Sequence, residues 1–294
     1  VTATGANDGV VQDARALLRW YEPRRTAYPW RRTSDPYAIL VGEVMLQQTQ
    51  AARVAPVFER FLVAFPTIGD LATASTSDVL RVWDGLGYNR RAVALLHTAR
   101  RVIARHGGRL PIDPAELRGL PGIGPYTAAA VASIAFGVRV AAVDTNVRRI
   151  VTRVFDARDG NVRGVADRWV HPTRPGDWNQ ALMDLGREVC RPVPRCTTCP
   201  LRRRCASASR SEMPTRPAIR RQSSFEGSFR QLRGAIVREL RHRGPLSIAS
   251  LASATGRATP DVERAVAALA REGLVDAGAA ASTSSVAARV RLPA

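Results

Sequence analysis

The sequence predicts a mainly α-helical protein followed by a small, separate C-terminal domain, on three observations. Apolar residues recur three and four positions apart over Val11–Tyr21, Tyr37–Gln50, Val54–Phe65, Ser77–Trp83, Arg90–His106 and Tyr126–Phe136, a spacing that puts them on one helical face. The segments between are rich in Pro and Gly, as in Tyr28-Pro29-Trp30 and Leu120-Pro121-Gly122-Ile123-Gly124-Pro125, which interrupt helices. Sustained strand alternation is absent before the C-terminal tail.

Composition shifts after Cys205. Ser207–Ser228 carries Ser, Arg and Pro with little apolar pattern and reads as a linker or surface strap. Beyond it, Phe229–Arg243, Ile248–Thr255 and Pro260–Glu272 are three amphipathic helices, and Leu274–Val275 and Val286–Leu292 alternate as a two-stranded ribbon. That set resembles a winged helix, a module that docks nucleic acid or protein. The expected division is a larger domain over 1–222 and a winged-helix-like domain over 223–294.

The 294 residues carry 44 Arg and no Lys against 25 acidic residues, a formal net charge of +19. Such an excess attracts polyanions, of which nucleic acid is the commonest. A GC-rich genome would explain Arg in place of Lys but not the surplus over acids. The longest apolar stretch, Ala128–Val138, is too short to span a bilayer and ends at Arg139. The first residues lack the basic start and apolar run of a signal peptide. All four cysteines fall within sixteen positions, which suits one metal site in a reducing compartment better than disulfides. The expectation is a cytoplasmic, nucleoid-associated monomer with no membrane partner.

The cysteine spacing is Cys190-x5-Cys196-x2-Cys199-x5-Cys205. Four thiolates this close can ligate zinc or a 4Fe-4S cluster. Zinc sites usually pair two short knuckles, whereas here one CxxC lies between two longer arms, which favours the cluster. Arg191, Arg195, Arg202, Arg203 and Arg204 decorate the same loops and could present guanidinium forks to phosphates. The plainer alternative is a solvated basic face on a structural site.

In the Leu120–Thr127 string, Gly122 and Gly124 permit positive φ and close backbone approach, and the N–H groups opening the next helix can face a phosphate. The plain alternative is an ordinary interhelical turn. Asp144, in Val143-Asp144-Thr145-Asn146, precedes a helix over Arg148–Val154 and suits its N-cap. Glu43 stands in Ile39-Leu40-Val41-Gly42-Glu43-Val44-Met45-Leu46, a segment otherwise fit for a core. A carboxylate there is costly unless paired, and desolvation raises its pKa, as a general acid near neutral pH requires. A structural Glu–Arg pair would also account for it.

These residues together resemble the helix-hairpin-helix, Gly/Pro–Asp DNA glycosylases, specifically the MutY-type adenine glycosylases. The resemblance runs from about Trp20 to Cys205. It rests on Pro29-Trp30-Arg31, Glu43-Val44-Met45-Leu46-Gln47-Gln48-Thr49-Gln50, Gly85-Leu86-Gly87-Tyr88, the hairpin, Val143-Asp144-Thr145-Asn146-Val147, Asn179–Gly186 and the cysteines. The Met-Leu-Gln-Gln-Thr string separates this branch from the endonuclease III type. The resemblance implies a two-lobed fold: a six-helix lobe from about Trp30 to Phe136, and a cluster lobe of residues 1–29 plus 137–222 holding a 4Fe-4S cluster. It also implies double-stranded DNA with a mispair or lesion as partner.

By position, Glu43 would protonate the adenine leaving group and Asp144 would stabilise the oxocarbenium-like sugar, or bond to it transiently, before water completes hydrolysis, much as in two-carboxylate glycoside hydrolysis. Tyr126 and Asn146 would support them. Trp30, Arg31 and Gln180 fall where the family lines its adenine pocket. Gln48, Thr49 and Tyr88 fall where it wedges into the duplex and senses the opposite base. Endonuclease III-type relatives have a Schiff-base Lys where Tyr126 stands, so a chain without Lys is left with monofunctional hydrolysis. This chain departs from the family in a five-residue first cysteine gap where six is usual, in Thr145 where Gly is common, and in the short C-terminal unit where an oxidised-guanine recognition domain usually lies. Two alternatives stand beside this reading. One is a thymine or uracil mismatch glycosylase of the same fold. The other is a non-catalytic iron–sulfur DNA-binding regulator, which would need neither Glu43 nor Asp144.

Overall fold

A computed structural model describes residues 13–25, 28–157, 159–208, 224–277 and 289–294. The chain divides into two compact units, Val1–Val44 with Leu110–Ile219 and Met45–Arg109 with Arg220–Ala294. Most of the expected linker, and the start of the second expected ribbon strand, lie outside the described residues.

The first unit contains α1 (13–21), most of α2 (Pro36–Leu46), α7 (Pro114–Arg118), α8 (Pro125–Phe136), α9 (Thr145–Phe155), α10 (Val162–Trp169) and α11 (Pro175–Glu188). Its core gathers Leu17, Tyr21, Ile150, Trp169, Trp178 and Leu185. The Trp169 ring meets Trp178 edge-on at 5.3 Å and Phe155 at 4.9 Å, arrangements that aromatic quadrupoles favour. Residues 37–45 of α2 are all buried, so the helix shows no solvent face along that stretch. α11 packs on both α8 and α9, and small residues permit it. A Cβ on Gly176 would lie 2.9 Å from the Ile134 Cα.

The periodicity expected over Tyr37–Gln50 ends early. α2 stops at Leu46 because Gln48 takes φ 55°, and the Thr49 amide closes the turn on the Leu46 carbonyl at 3.2 Å. A side-chain-bearing residue with positive φ cannot continue a right-handed helix.

The second unit contains α3 (Ala51–Ala64), α4 (Ile68–Thr73), α5 (Thr76–Val82), α6 (Arg90–His106) and the C-terminal elements. α4 and α5 pack on α6, and α3 on α5. α4, too short to show a period, is fixed by a capping box between Thr67 and Asp70. The C-terminal elements are α12 (Phe229–Arg243), β1 (Leu246–Ser247), α13 (Ile248–Thr255), α14 (Thr259–Arg271) and β2 (Arg289–Val290). The three helices pack on one another, with Ser228 and Ser247 capping α12 and α13.

The ribbon differs from expectation. β2 pairs antiparallel with β1, Leu246 opposite Val290, and downstream of α14 a bridge joins Asp276 to Arg291. Leu274 and Val275 are both buried, so they serve as a core plug after α14 instead of alternating between two faces. Among the described residues no helix is long and apolar enough to cross a membrane.

Candidate active site

Glu43 is 6% exposed in the apolar stretch of α2. Burial pushes its carboxyl up to about 7 and the nearby Asp144 charge adds to this, while the Arg31 charge and a hydrogen bond from the Tyr126 hydroxyl act against it. Tyr126 is held by the hairpin. Gly122 has φ 73°, and Gly124 caps α8 in extended conformation, followed by Pro125 at the first helical position. The positive φ expected of both glycines is therefore used by Gly122 alone. Open space lies over the missing Cβ of Gly124. The Tyr126 hydroxyl also lies 3.2 Å from the Met183 sulfur, and burial raises its pKa well above the ordinary value.

Arg31 makes two hydrogen bonds to Asp184, at 2.8 and 2.9 Å, with the two side chains 6% and 3% exposed. A buried fork of this kind holds direction as well as charge. Its guanidinium lies 5.5 Å over the Tyr21 ring and 5.3 Å over the Tyr28 ring. Tyr28 in turn stacks on Trp30 at 4.9 Å, and the Tyr21 hydroxyl donates to Gln180 Oε1 at 2.5 Å. The structure thus links Trp30, Arg31 and Gln180 through two tyrosines that sequence reasoning passed over. Asp184 was also missed as a site residue, although an acid inside the apolar Ala181–Leu185 stretch was a usable signal.

Asp144 is the N-cap of α9, as expected, and the helix starts at Thr145. Its Oδ1 accepts from the Asn146 and Val147 amides at 2.9 and 2.7 Å, and its Oδ2 from Asn146 Nδ2 at 3.1 Å. The segment leading into it is held by buried Asn179. That side chain accepts from the Ala142 amide and donates to Ser133 Oγ and to the Val140 and Pro175 carbonyls. Asn146 Oδ1 receives Arg149 Nη2 at 2.9 Å, and Arg149 Nε donates to the Cys190 carbonyl at 2.7 Å. A chain of hydrogen bonds thus runs from Asp144 to the first cysteine.

Cys190, Cys196, Cys199 and Cys205 line one cavity with Ile150, Leu185 and Leu201, and all four are free thiols. Three packings hold the loop: the Cys190 amide on the Leu185 carbonyl, the Ala206 amide on the Val154 carbonyl, and the Ser207 amide on the Arg153 carbonyl. Buried Arg153 places Nη1 3.6 Å from the Cys190 sulfur. Burial pushes the Cys199 thiol up to about 11 and raises Cys205, so deprotonating all four calls for compensating positive charge. Among the described residues no three His, Cys, Asp or Glu are arranged for one metal ion, although the four cysteines line one cavity. Four soft donors around a cavity fit a polynuclear iron–sulfur cluster.

The remaining predicted residues lie in the second unit on two strained turns. Gln48 has φ 55° and Tyr88 φ 47°, and Tyr88 is 48% exposed. Arg91, another residue the sequence did not single out, joins these turns. It donates to the Met45 carbonyl at 2.8 Å, to Thr49 Oγ1 at 2.9 Å and to the Gly87 carbonyl at 3.3 Å, with its guanidinium over the Trp83 and Tyr88 rings.

The chain is similar to several known proteins. Residues 41–172 match the HhH-GPD superfamily base excision DNA repair protein family, and residues 228–290 match the HVO_A0114 family. An adenine DNA glycosylase of Mycobacterium tuberculosis is 41% identical over 88% of this chain and 88% of its own length. The human adenine DNA glycosylase is 42% identical over 67% of this chain, which spans only 39% of that protein. A solved thermostable thymine-DNA glycosylase superposes with a TM-score of 0.64 and 32% identity, covering 70% of this chain and 99% of its own. The chain belongs to the HhH-GPD superfamily of base excision DNA repair proteins, and within it to the MutY-type adenine DNA glycosylase family.

Proposed function

We propose that this protein is a monofunctional DNA glycosylase that hydrolyses the N-glycosidic bond of adenine mispaired with guanine or oxidised guanine. The observation that carries the reading is Glu43, a buried carboxyl poised near neutrality between Tyr126, Arg31 and Asp144. Glu43 delivers a proton to the departing adenine, and the Tyr126 hydroxyl orients it. Asp144, fixed by three donors, faces the cationic sugar with its negative charge until water adds. Trp30, Arg31 and Gln180 hold the flipped base, whose amino and ring nitrogens match the polar ends of Arg31 and Gln180. Without Lys the chain has no side chain to form a Schiff base with the abasic sugar, so strand cleavage is left to other enzymes.

Cys190, Cys196, Cys199 and Cys205 would hold a 4Fe-4S cluster, which supplies a compact charged cross-link for their loop. Arg195, Arg202, Arg203 and Arg204 on that loop then meet DNA phosphates, and Gln48, Thr49 and Tyr88 enter the duplex. The likeness to a thymine-DNA glycosylase motivates the second reading, excision of mispaired thymine. Both are tested by incubating the protein with duplexes carrying each mispair and cleaving abasic sites with alkali. Strand breaks at adenine opposite guanine or oxidised guanine, only after alkali, are expected. Breaks confined to thymine or uracil would replace the adenine reading, and none at any mispair would overturn both.

A further inference from the structure

The turn between α5 and α6 is an unusual piece of backbone. Gly85 has φ 92°, Gly87 φ 67° and Tyr88 φ 47° within four residues. Such conformations persist only where the surroundings over-determine them. Part of the restraint is local. Trp83 Nε1 donates to the Gly87 carbonyl at 3.1 Å, and Arg91 ties the same carbonyl to Thr49 and Met45.

The rest comes from the C-terminal domain. Arg241 of α12, its side chain 7% exposed, pairs with Asp84 at the head of the turn. Burial depresses the Arg241 guanidinium, and the Asp84 charge opposes that shift. His242 Nε2 lies 3.9 Å from the other Asp84 oxygen, while Asp84 Oδ1 also accepts the Gly85 amide at 3.0 Å. At the far end, Arg90, the first residue of α6, lies 3.5 Å from Glu272, which follows α14 and also pairs with Arg233 of α12. The Ser77 amide at the start of α5 donates to the Pro293 carbonyl at 2.9 Å. The helix entering the turn, the head of the turn and the helix leaving it are therefore each fastened to residues 233–293. A partly buried guanidinium is strongly unfavourable without its carboxylate, so the Arg241–Asp84 pair differs from a loose surface ion pair.

We infer that the C-terminal domain is the positioning element of the Asp84–Tyr88 turn, acting through Arg241 and Glu272, and thereby sets how the enzyme discriminates the base opposite its target. The inference rests on the proposed function, in which Tyr88 enters the duplex. Arg241 and Glu272 are positioning residues that act through Asp84 and Arg90 and touch no reacting atom. A domain that reads no base itself would in this way take part in specificity by fixing the shape of a turn that does.

The test uses the full chain and single-turnover excision of adenine opposite oxidised guanine, guanine and cytosine. The readouts are the ratios between these rates and the fluorescence of 2-aminopurine beside the mispair, which reports insertion of the wedge. Arg241→Met and Glu272→Gln should each change a ratio by about tenfold or more and lower the fluorescence response, with helical content intact. Asp84→Asn should match Arg241→Met, and the double variant should be no worse than either single one, because both remove one interaction. If Arg241→Met fails to fold, Asp84→Asn, altered on a half-exposed side chain, carries the test. Tyr88→Ala separates the two levels of inference. If it shifts the ratios while Asp84→Asn and Glu272→Gln leave them within twofold, the positioning role is overturned and the functional reading stands. If Tyr88→Ala also leaves ratios and fluorescence unchanged, the turn does not meet the duplex, and the positioning role falls together with the proposed role of Tyr88, while adenine excision is decided by the alkali assay.

Discussion

Gly186 of α11 and Asn146 of α9 approach so closely that a Cβ on Gly186 would lie 2.7 Å from the Asn146 Cβ. Asn146 donates to Asp144 and accepts from Arg149, so helix packing and the placement of Asp144 share one contact. Gly186→Ala should cost about 1–3 kcal/mol through overpacking and displace Asn146. Thermal melting and single-turnover excision should both fall. An unchanged melting temperature with full activity would show that the helices can separate without consequence.

Glu43→Gln keeps the shape of the side chain and removes its proton. Excision should drop by at least ~100-fold, the scale of one general acid. In the wild type, the rate should decline as pH rises through about 7, where Glu43 ionises. Stability follows the same sign. The folded pKa lies above the ordinary 4.5 of a free glutamate, so this contribution is full below 4.5 and is lost as pH rises towards 7. The loss is up to about 1.4 kcal/mol per pH unit. Glu43→Gln should flatten that slope in denaturant titrations at pH 4 to 8. A wild-type slope retained in the variant would assign it to another group.

Asp144→Asn and Asp144→Ala separate capping from catalysis. Asn can still accept the Asn146 and Val147 amides but not Asn146 Nδ2, so it should melt only slightly below wild type while excision falls by at least ~100-fold. Ala should lose the same activity and, in addition, about 1 kcal/mol of stability. Equal stability of the two variants would mean that the cap contributes nothing.

Purified protein should be brown and hold about four iron atoms per chain if the cysteine cavity takes the cluster it fits. Cys199→Ser, at the most strongly perturbed thiol, should lose colour and melt earlier. A colourless zinc protein of full activity would refute this.

DNA affinity should fall steeply with salt as the Arg-rich loop displaces counterions. Arg203→Ala should weaken matched and mismatched duplexes about equally. A change in base preference at constant affinity would remove that loop from phosphate contact.

Much of the candidate site was legible because its signals are local. Glu43 interrupts an apolar run, Asp144 precedes a helical pattern, and Gly122 marks a turn within a short string. What could not be read was pairing at a distance. Arg31 and Asp184 are 153 residues apart, and Arg241 and Asp84 are 157 apart. Among 44 arginines nothing local distinguishes Arg91 or Arg241 from a solvated neighbour, and Arg31 stood out only through the Pro29-Trp30-Arg31 string. α4 was missed because six residues are fewer than two helical turns. α11 was noticed only as the string Asn179–Gly186, because its polar members, Asn179, Gln180 and Asp184, are buried and blur the amphipathic pattern.

The first unit is assembled from two stretches of chain separated by residues 45–109, and this bears on its birth at the ribosome. Glu43 emerges early, among apolar neighbours that have nothing yet to pack on. Tyr126 and Asp144 follow much later, and the partner of Arg31 must wait a further interval, 153 residues after Arg31 itself. At synthesis rates of about 5–20 residues per second that delay is roughly eight to thirty seconds. A polypeptide released before Asp184 would contain both carboxylates yet lack the carboxylate that fixes Arg31 beside Glu43, so the site's charge arrangement is completed only late in synthesis.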